Sequence, residues 1–297
     1  MVIAKRVTLM KKLLTTKFKV LMLCLLCTFA DIAVQASDVL TMGVFPRRNS
    51  VVTVKMFTPL SRYLSELLGV SVKLETAKNF PAFWENVMSK RYDIVHYNQL
   101  HYILSQKSVG YKVFAKNEEF GQSYIQSSII VRKDSGINTI ADLKGKRIIF
   151  GGGKLAMVAF VGVKLMLMEN GLNESDYETI VARNPPNSSL AVFFKKAEAG
   201  GVGDIALSVP SVTKRVNANE MKYLASGYGQ AHIPWAHSPN VTDDLKTKII
   251  EVFINLSSST EGKKVLKKAG ISGILAAEDK DYDDSRSIYR KYKKLLN

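Results

Sequence analysis

Residues Tyr124–Met157 read YIQSSIIVRKDSGINTIADLKGKRIIFGGGKLAM, and this stretch decides the fold. The run Ser128–Val131 is β-branched at most positions and leads to a turn-forming Asp-Ser-Gly, so it predicts a strand. Arg147–Phe150 predicts a second, short strand that ends at three glycines, and an apolar helix follows Lys154. A glycine-rich loop between a strand and a helix N-terminus presents free backbone N–H groups at the positive end of the helix dipole. The stretch therefore predicts a binding site for an anion or another ligand rich in hydrogen-bond acceptors.

The loop Gly151–Lys154 does not match the common nucleotide-binding motifs. Leu155 stands where a Walker A loop needs a serine or threonine to hold a metal ion. The glycine spacing also differs from that of a dinucleotide-binding fingerprint. The alternative to a ligand cradle is a tight turn that needs glycine only for its positive φ.

The segments around this stretch alternate between strand and helix patterns. Before it, the predicted elements are Val39–Val44, Val54–Leu68, Val70–Glu75, Pro81–Ser89, Tyr92–His96, Leu100–Gln106 and Tyr111–Ala115. After it, they are Ala156–Glu169, Glu178–Val181, Leu190–Ala197, Asp204–Leu207 and Tyr223–Ala225. This order predicts an α/β protein of two lobes, each with an open and mostly parallel sheet.

Two chain crossings between such lobes make a hinged clamshell. We expect the crossings near Gln126–Ile130 and Ser226–Pro234, where Gly227 and Gly229 suit the second. Two helices, Thr242–Asn255 and Ser259–Ala269, are expected to pack on the first lobe. The expected division is a signal peptide at 1–36, lobe 1 at 37–128 plus 231–297, and lobe 2 at 129–230.

Residues 1–36 have the pattern of a secretory signal peptide. Basic residues precede the apolar run Val20–Ala30, which is short for a membrane span, and small residues at Ala33–Ala36 predict cleavage before Ser37. Cys24 and Cys27 both lie in this segment without the small residues of a lipoprotein signal, so the exported chain would have no cysteine. Its removal takes away six basic residues and one acid, which lowers the formal net charge from +16 to +11. A positive field of this size can steer anions.

Several motifs occur in the order found in one family of binding proteins. Thr41–Pro46 is a strand ending in Gly-Val-Phe-Pro, Pro59–Val70 reads PLSRYLSELLGV, and Asp93–Tyr102 reads DIVHYNQLHY. The later motifs are VRKDSGI at Val131–Ile137 and ADLKGKR at Ala141–Arg147. Together they resemble the periplasmic substrate-binding proteins of phosphate, phosphite and phosphonate ABC transporters. The resemblance implies a two-lobed clamshell of the type II periplasmic-binding-protein fold.

The ligand site departs from the pattern of that family. Phosphonate binders of this type place a Ser-Thr-Ser cluster at the helix N-terminus, whereas Leu155, Ala156 and Met157 occupy the matching positions here. The paired aspartates of the family are missing around Asp204–Ser208, and a family histidine corresponds at best to one of Asn187–Ser189. The fold therefore transfers more safely than the ligand, and we expect simple phosphonates to bind weakly.

The predicted ligand-binding residues come from the glycine loop, from aromatic residues at strand ends, and from positions that the resemblance implies. Aromatic rings in a cleft pack on organic ligands, although any one of these rings can instead belong to the core. The set is Phe45, Tyr97, Asn98, Tyr124, Gly152, Gly153, Lys154, Leu155, Ala156 and Ser188.

The four histidines form two pairs, His96 with His101 and His232 with His237, each five residues apart. This spacing does not place two imidazoles on one helix face, and no cysteine or dense acid cluster accompanies them. We therefore expect no metal site and no cofactor, and a ligand contact or pH-sensitive closure is the preferred role. No Gly-x-Ser-x-Gly or His-Glu-x-x-His motif occurs, so we expect a binding protein and not an enzyme.

The predicted function is that of a periplasmic, monomeric solute-binding protein. It would capture a small anionic ligand between its lobes and deliver it to an inner-membrane ABC permease. Scattered lysines without a basic stripe argue against nucleic acid as a partner. Two alternatives keep the fold: a ligand-sensing subunit of a membrane receptor kinase, and a bilobal enzyme. Linked permease or kinase genes separate the first two, and turnover of a bound metabolite would favour the third.

Overall fold

The computed structural model describes residues 39–296, in which strands and helices alternate. The strands are β1 (Val39–Val44), β2 (Ser71–Glu75), β3 (Ile94–His96), β4 (Lys112–Glu118), β5 (Tyr124–Arg132), β6 (Arg147–Gly151), β7 (Glu178–Ala182), β8 (Ala199–Gly203), β9 (Met221–Ala231), β10 (Pro234–His237) and β11 (Gly273–Ala276). The helices are α1 (Ser50–Leu68), α2 (Phe80–Met88), α3 (Gln99–Val109), α4 (Val163–Glu169), α5 (Pro185–Phe193), α6 (Pro210–Thr213), α7 (Asp243–Asn255), α8 (Thr260–Ala269) and α9 (Asp283–Leu296). A π-helical segment, Met157–Gly162, leads directly into α4.

The predicted signal peptide, its cleavage site and both cysteines lie outside the described residues. None of the helices between residues 39 and 296 has the length and apolar composition needed to cross a bilayer.

The strands form two sheets, one in each lobe. The first has the order β11-β4-β10-β3-β1-β2, and the second has the order β7-β6-β8-β5-β9. In the first sheet β2, β1 and β3 are parallel, while β10 and β11 run antiparallel to their neighbours. In the second sheet β7, β6 and β8 are parallel, and β5 is antiparallel to both β8 and β9. The predicted two-lobed α/β clamshell is confirmed, and each sheet is mixed around a parallel centre.

The chain crosses between the two sheets twice. It leaves the first sheet after Glu118 and enters the second at Tyr124, so the outward crossing is residues 119–123. The predicted crossing at Gln126–Ile130 is wrong, because those residues lie inside β5 and pair with β8 and β9. The return crossing is residues 232–233, at the end of the predicted range Ser226–Pro234.

The C-terminal part of the chain packs on both lobes. Helices α7 and α8 lie against α1 on the first sheet, as expected, and share one core with Phe57, Leu64 and Phe253. Helix α9 was not predicted, and it contacts α3 of the first lobe together with the 157–169 helix and β9 of the second. We expected residues 231–297 to belong to the first lobe alone, but α9 contacts both lobes.

The glycine-rich strand β8 was the main strand that the sequence pattern misplaced. The prediction put a strand at Asp204–Leu207, but the strand is Ala199–Gly203, with the sequence AGGVG. A Cβ atom on Gly201 would lie 2.3 Å from the carbonyl oxygen of Ala159. Glycine is required there because the helical segment that begins at Met157 lies directly on the sheet.

Candidate functional site

A cavity of about 90 Å³ lies between the lobes. The first lobe contributes Phe45, Arg47, Arg48, Phe80, Asn98 and Gln99. The second contributes Ile125, Ala156, Met157, Val158, Ala159, Pro185, Pro186, Val202, Gly203, Ile205, Ala206, Val209 and Val212, and Ile233 of the return crossing completes the lining. The cavity lies beyond the carboxyl ends of β1, β3 and β6, where open α/β sheets bind ligands.

A helix N-terminus faces this cavity, but it begins later than the sequence indicated. Gly152 and Gly153 have positive φ values of 85° and 68° and start a 3₁₀ turn, and Ala156 is extended. The helix starts at Met157, and the first N–H groups bonded within it, those of Phe160 and Val161, both donate to the Ala156 carbonyl at 3.1 Å. The N–H groups of residues 157–159 thus precede the first helical hydrogen bonds, and these three residues line the cavity.

The glycine loop itself lies outside the cavity lining. Gly152, Gly153 and Lys154 are absent from the lining, Lys154 is exposed, and Leu155 is half-buried. Of the predicted loop residues, Ala156 alone lines the cavity. The positive φ of both glycines fits the alternative that the sequence left open, a tight turn that needs glycine for its backbone.

Gly152 also marks a contact between the lobes. A Cβ atom there would lie 2.9 Å from Cε2 of Phe80, which belongs to α2 of the first lobe. It would also lie 3.1 Å from Cβ of Ala156. A side chain at Gly152 would therefore push Phe80 away from the second lobe.

Alanine at Gly152 is expected to loosen the closed arrangement, whereas alanine at Gly136 should not. Both glycines have positive φ, 85° and 74°, so each change carries backbone strain of about 1–2 kcal/mol. At Gly136 a Cβ would meet nothing within 4 Å, which makes it the matched control. Small-angle scattering should show a larger radius of gyration for Gly152→Ala than for Gly136→Ala. The double variant Gly152→Ala/Phe80→Ala should no longer show this increase, because the ring that the new Cβ meets is gone. Identical scattering from both glycine variants would contradict this role of Gly152.

Asn98 joins the two lobes through its side-chain amide. Its Oδ1 caps α3 by accepting from the N–H groups of Leu100 at 2.9 Å and His101 at 3.3 Å. Its Nδ2 donates to the Leu155 carbonyl of the second lobe at 2.9 Å and contacts His101 Nδ1 at 2.8 Å. Asn98 lines the cavity, and its amide donors are already used by protein groups.

Two arginines at the carboxyl end of β1 are the site residues that sequence reasoning missed. Arg47 donates from Nη1 and Nη2 to the two carboxylate oxygens of Glu119, at 2.5 and 2.6 Å. Arg48 has no carboxylate within ion-pair distance among residues 39–296, and its hydrogen bond goes to the Arg47 carbonyl at 3.3 Å. Burial and the neighbouring charge of Arg47 lower the pKa of Arg48 to about 9, which leaves it charged at neutral pH. Adjacent basic residues directly after a strand were the available signal.

Glu119 links Arg47 to the segments where the chain crosses between the lobes, residues 119–123 and 232–233. Its carboxylate is buried and also accepts from Asn117 Nδ2 at 3.0 Å. Burial alone would raise the pKa of Glu119, but the charges of Arg47 and His232 and the hydrogen bonds outweigh it and lower the pKa to about 2. Glu119 opens the outward crossing and His232 opens the return crossing, so this buried cluster sits on both hinge segments.

The other predicted residues lie at different depths. Phe45 lines the cavity. Tyr97 is fully buried behind it, with its hydroxyl 2.9 Å from Ser105 Oγ. Tyr124 is half-exposed with Lys116 over its ring, and Ser188 is buried without a hydrogen-bond partner for its hydroxyl in the described chain. The structure therefore brings together Phe45, Asn98 and Ala156, and leaves Tyr97, Tyr124 and Ser188 outside the cavity lining.

All four histidines are buried, each in its own surroundings. His96 stacks on Trp235 with ring centroids 4.2 Å apart, and His101 stacks on Trp84 at 5.6 Å. His232 Nδ1 accepts from the Ile233 N–H at 2.9 Å, and His237 stacks on Phe114 at 6.2 Å. Within residues 39–296 no group of three or more histidine, cysteine or acidic side chains is arranged to hold a metal ion.

Comparison with known proteins identifies the family of the chain. Residues 42–282 match the family described as the periplasmic substrate-binding protein of phosphonate ABC transporters. The chain belongs to this family. The phosphonates-binding periplasmic protein of Escherichia coli (strain K12) is 23% identical over 252 residues, which is 83% of this chain and 75% of that protein.

Two solved structures share the fold. The binding-protein component of an ABC phosphonate transporter from Pseudomonas aeruginosa superposes with a TM-score of 0.79 at 18% identity, and 88% of each chain is covered. PhnD1 from Prochlorococcus marinus (MIT 9301), solved in complex with methylphosphonate, gives a TM-score of 0.76 at 19% identity and covers 86% of this chain and 98% of its own. These family members are substrate-binding proteins and not enzymes.

Proposed function

We propose that this member of the phosphonate-binding family captures a small organic anion between its lobes and presents it to an ABC permease. The observation that carries the proposal is Arg48. Arg48 lines the cavity from the first lobe, and its guanidinium group has no carboxylate partner among the described residues. A partly desolvated guanidinium with free donors is stabilised by an anion that accepts from them.

The second lobe offers the complementary half of the anion site. The N–H groups of Met157, Val158 and Ala159 lie at the start of a helix that runs to Glu169, and the helix dipole favours negative charge at that end. These backbone donors would replace the hydroxyl groups that the family places at the positions of Leu155, Ala156 and Met157. A ligand held by Arg48 and by these N–H groups contacts both lobes, so its binding would favour closure.

Arg47 would support the site without serving as the main anchor. One donor on each of its Nη atoms is committed to Glu119, which neutralises its charge and fixes its position at the cavity wall. Arg48 is then the arginine of the cavity lining without a carboxylate partner in the described chain.

Calorimetry and mass spectrometry of the exported protein test the proposal. Protein purified from its native host under gentle conditions should carry a ligand with an acidic head group, identified by mass spectrometry after denaturation. Calorimetric titration with phosphate, phosphite, methylphosphonate and longer alkylphosphonates should give binding with at least one of them, weakened by added salt because the contact is electrostatic. A neutral ligand, or affinity that salt leaves unchanged, would contradict the anion site.

We also propose export with cleavage near Ala36, a monomeric mature protein and an inner-membrane ABC permease as its partner. Family membership and the pattern of residues 1–36 support these points. N-terminal sequencing of the exported protein should give Ser37, and light scattering should give the mass of a single mature chain. An exported protein that keeps residues 1–30 would contradict the cleavage, and a stable dimer would contradict the monomer.

A further inference from the structure

We infer that the anion carries a short, uncharged hydrocarbon substituent, which lies in the second-lobe half of the cavity. The inference rests on the proposed function, because it assigns the anionic head group to Arg48. It goes further by describing the rest of the ligand, an uncharged hydrocarbon group in place of one that carries an amine.

The cavity has a polar side and an apolar side. Its polar side chains, those of Arg47, Arg48, Asn98 and Gln99, all come from the first lobe. Gln99 Nε2 already donates to the Ala231 carbonyl at 2.9 Å. In the second lobe the lining side chains contain no nitrogen or oxygen atom, and Val158, Ile205 and Val209 are typical of them. A polar tail would lose its hydration there without finding a side-chain partner.

A second helix N-terminus at the cavity is closed to ligands. Helix α5 begins with Pro185 and Pro186, which both line the cavity and have no N–H group. The next N–H, that of Asn187, is capped by Asn184 Oδ1 at 3.3 Å. The second lobe therefore offers backbone donors at Met157–Ala159 and an apolar wall at Pro185–Pro186. The acceptor-rich head group of the ligand would therefore lie at the backbone donors, and the other end of the ligand would contact apolar side chains.

The lining also contains no carboxylate that could pair with an amine. Glu119 lies behind Arg47, is committed to it and is not part of the lining. An ammonium group on the ligand tail would be placed against valine and isoleucine side chains, which offer it no acceptor. Desolvation of the ammonium group without a compensating partner opposes this arrangement.

The size of the cavity sets the length of the tail. A cavity of about 90 Å³ holds roughly six to nine non-hydrogen atoms when one water needs roughly 10–15 Å³. A phosphonate head group uses four of these atoms, which leaves room for about two to five carbon atoms.

A series of alkylphosphonates tests the inference in calorimetric titrations of the mature protein. From methyl to n-propylphosphonate, affinity should rise about threefold to fourfold for each added methylene group. The most informative comparison is between n-propylphosphonate and 2-aminoethylphosphonate. The two have equal numbers of non-hydrogen atoms, and the terminal methyl group of the first is an ammonium group in the second. We expect the propyl compound to bind more than tenfold tighter. Flat or falling affinity along the series, or equal binding of the aminoethyl compound, would overturn the inference.

Variants locate the tail. Val209→Thr keeps the shape of a buried lining side chain and adds a hydroxyl group, so it should reduce the gain from methyl to propyl. Val181→Thr makes the same change at an exposed position outside the lining and is the control. An unchanged methyl-to-propyl ratio in Val209→Thr would overturn the placement of the tail.

Arg48→Ala separates the inference from the proposed function. If Arg48→Ala weakens all phosphonates while chain length has no effect in the parent protein, the anion site stands and the apolar tail is wrong. If chain length matters but Arg48→Ala changes nothing, the tail stands and the head-group assignment is wrong. Absence of binding by every member of the series, tested also as alkanesulfonates and carboxylates, would overturn both.

Discussion

Alanine in place of Arg48 is expected to weaken binding of n-propylphosphonate by about one to two orders of magnitude. Each hydrogen bond to a charged group contributes about 1.5–3 kcal/mol, and the guanidinium is the cation at the cavity without a carboxylate partner in the described chain. Arg48→Lys should recover part of the affinity, because it keeps the charge but loses the planar pair of donors. Calorimetric titration at low salt measures the effect.

The control for this variant is Arg62→Ala. Arg62 is exposed on α1, outside the cavity lining, and it forms no ion pair with another described residue. Its removal changes the net charge by the same amount, so it separates a direct contact from general attraction of anions. Equal affinities of Arg48→Ala and Arg62→Ala would contradict the assignment of Arg48.

The stability of the Arg48→Ala protein provides a second readout. The free protein holds this guanidinium partly desolvated beside a second arginine, an arrangement that costs free energy of folding. We therefore expect the unfolding midpoint of the unliganded variant to stay the same or rise while its affinity falls. A residue with only a structural role would show the opposite, a loss of stability with affinity largely kept.

The elements that the sequence predicted well are those whose signals are local. Helix α1 has an apolar face, and its predicted end at Leu68 is confirmed and followed by Gly69 in the left-handed conformation, although its cap at Asn49 starts the helix four residues before the predicted Val54. Strand β1 was predicted with its observed bounds, Val39–Val44, because its β-branched and apolar residues lead to a proline turn. These features depend on residues a few positions apart, so a single sequence contains them.

Strand β8 shows what local signals cannot supply. Its sequence AGGVG has low strand propensity, and the Ala159 carbonyl, 42 positions earlier in the chain, requires glycine at Gly201. The neighbouring segment Asp204–Leu207 looked more like a strand because it holds isoleucine and leucine. Tertiary packing makes the first segment the strand, and no pattern within either segment predicts that packing.

The predicted ligand-binding loop and the residues that line the cavity overlap at Ala156 alone. The helix after β6 has alanine at its N-cap position, Ala156, so no serine, threonine, aspartate or asparagine marked where it begins. The sequence therefore predicted the cradle on Gly152–Lys154, whereas we propose the N–H groups of Met157–Ala159. Arg48 was missed because its importance depends on Glu119 pairing with Arg47, a contact between residues 72 positions apart.

Acidification from pH 7.5 to pH 5.5 is expected to lower the free energy of unfolding by about 4 kcal/mol. Burial lowers the pKa of His96 and His101 to about 3 and that of His232 to about 4. Each histidine is therefore neutral in the folded protein over this range, whereas the unfolded chain binds protons below its ordinary pKa of about 6.5. Their contribution is fully present above the unfolded pKa and is lost as the pH falls toward the folded values. Urea unfolding at the two pH values measures the loss.

His101→Phe tests whether the histidines cause this loss. His101 lies among Phe80, Phe83, Trp84 and Tyr97, and its buried Nε2 has no hydrogen-bond partner in the described chain, so a phenyl ring suits its surroundings. The variant removes one titrating group, so the drop between the two pH values should shrink by about 1.4 kcal/mol whatever its stability at pH 7.5. The variant also loses the contact with Asn98, but that loss is the same at both pH values. It therefore cancels when the fall in the free energy of unfolding is compared between the variant and the parent protein. Equal stability of the parent protein at both pH values would show that the histidines are protonated in the folded state, and the neutral stacking of His101 and His96 would then be wrong.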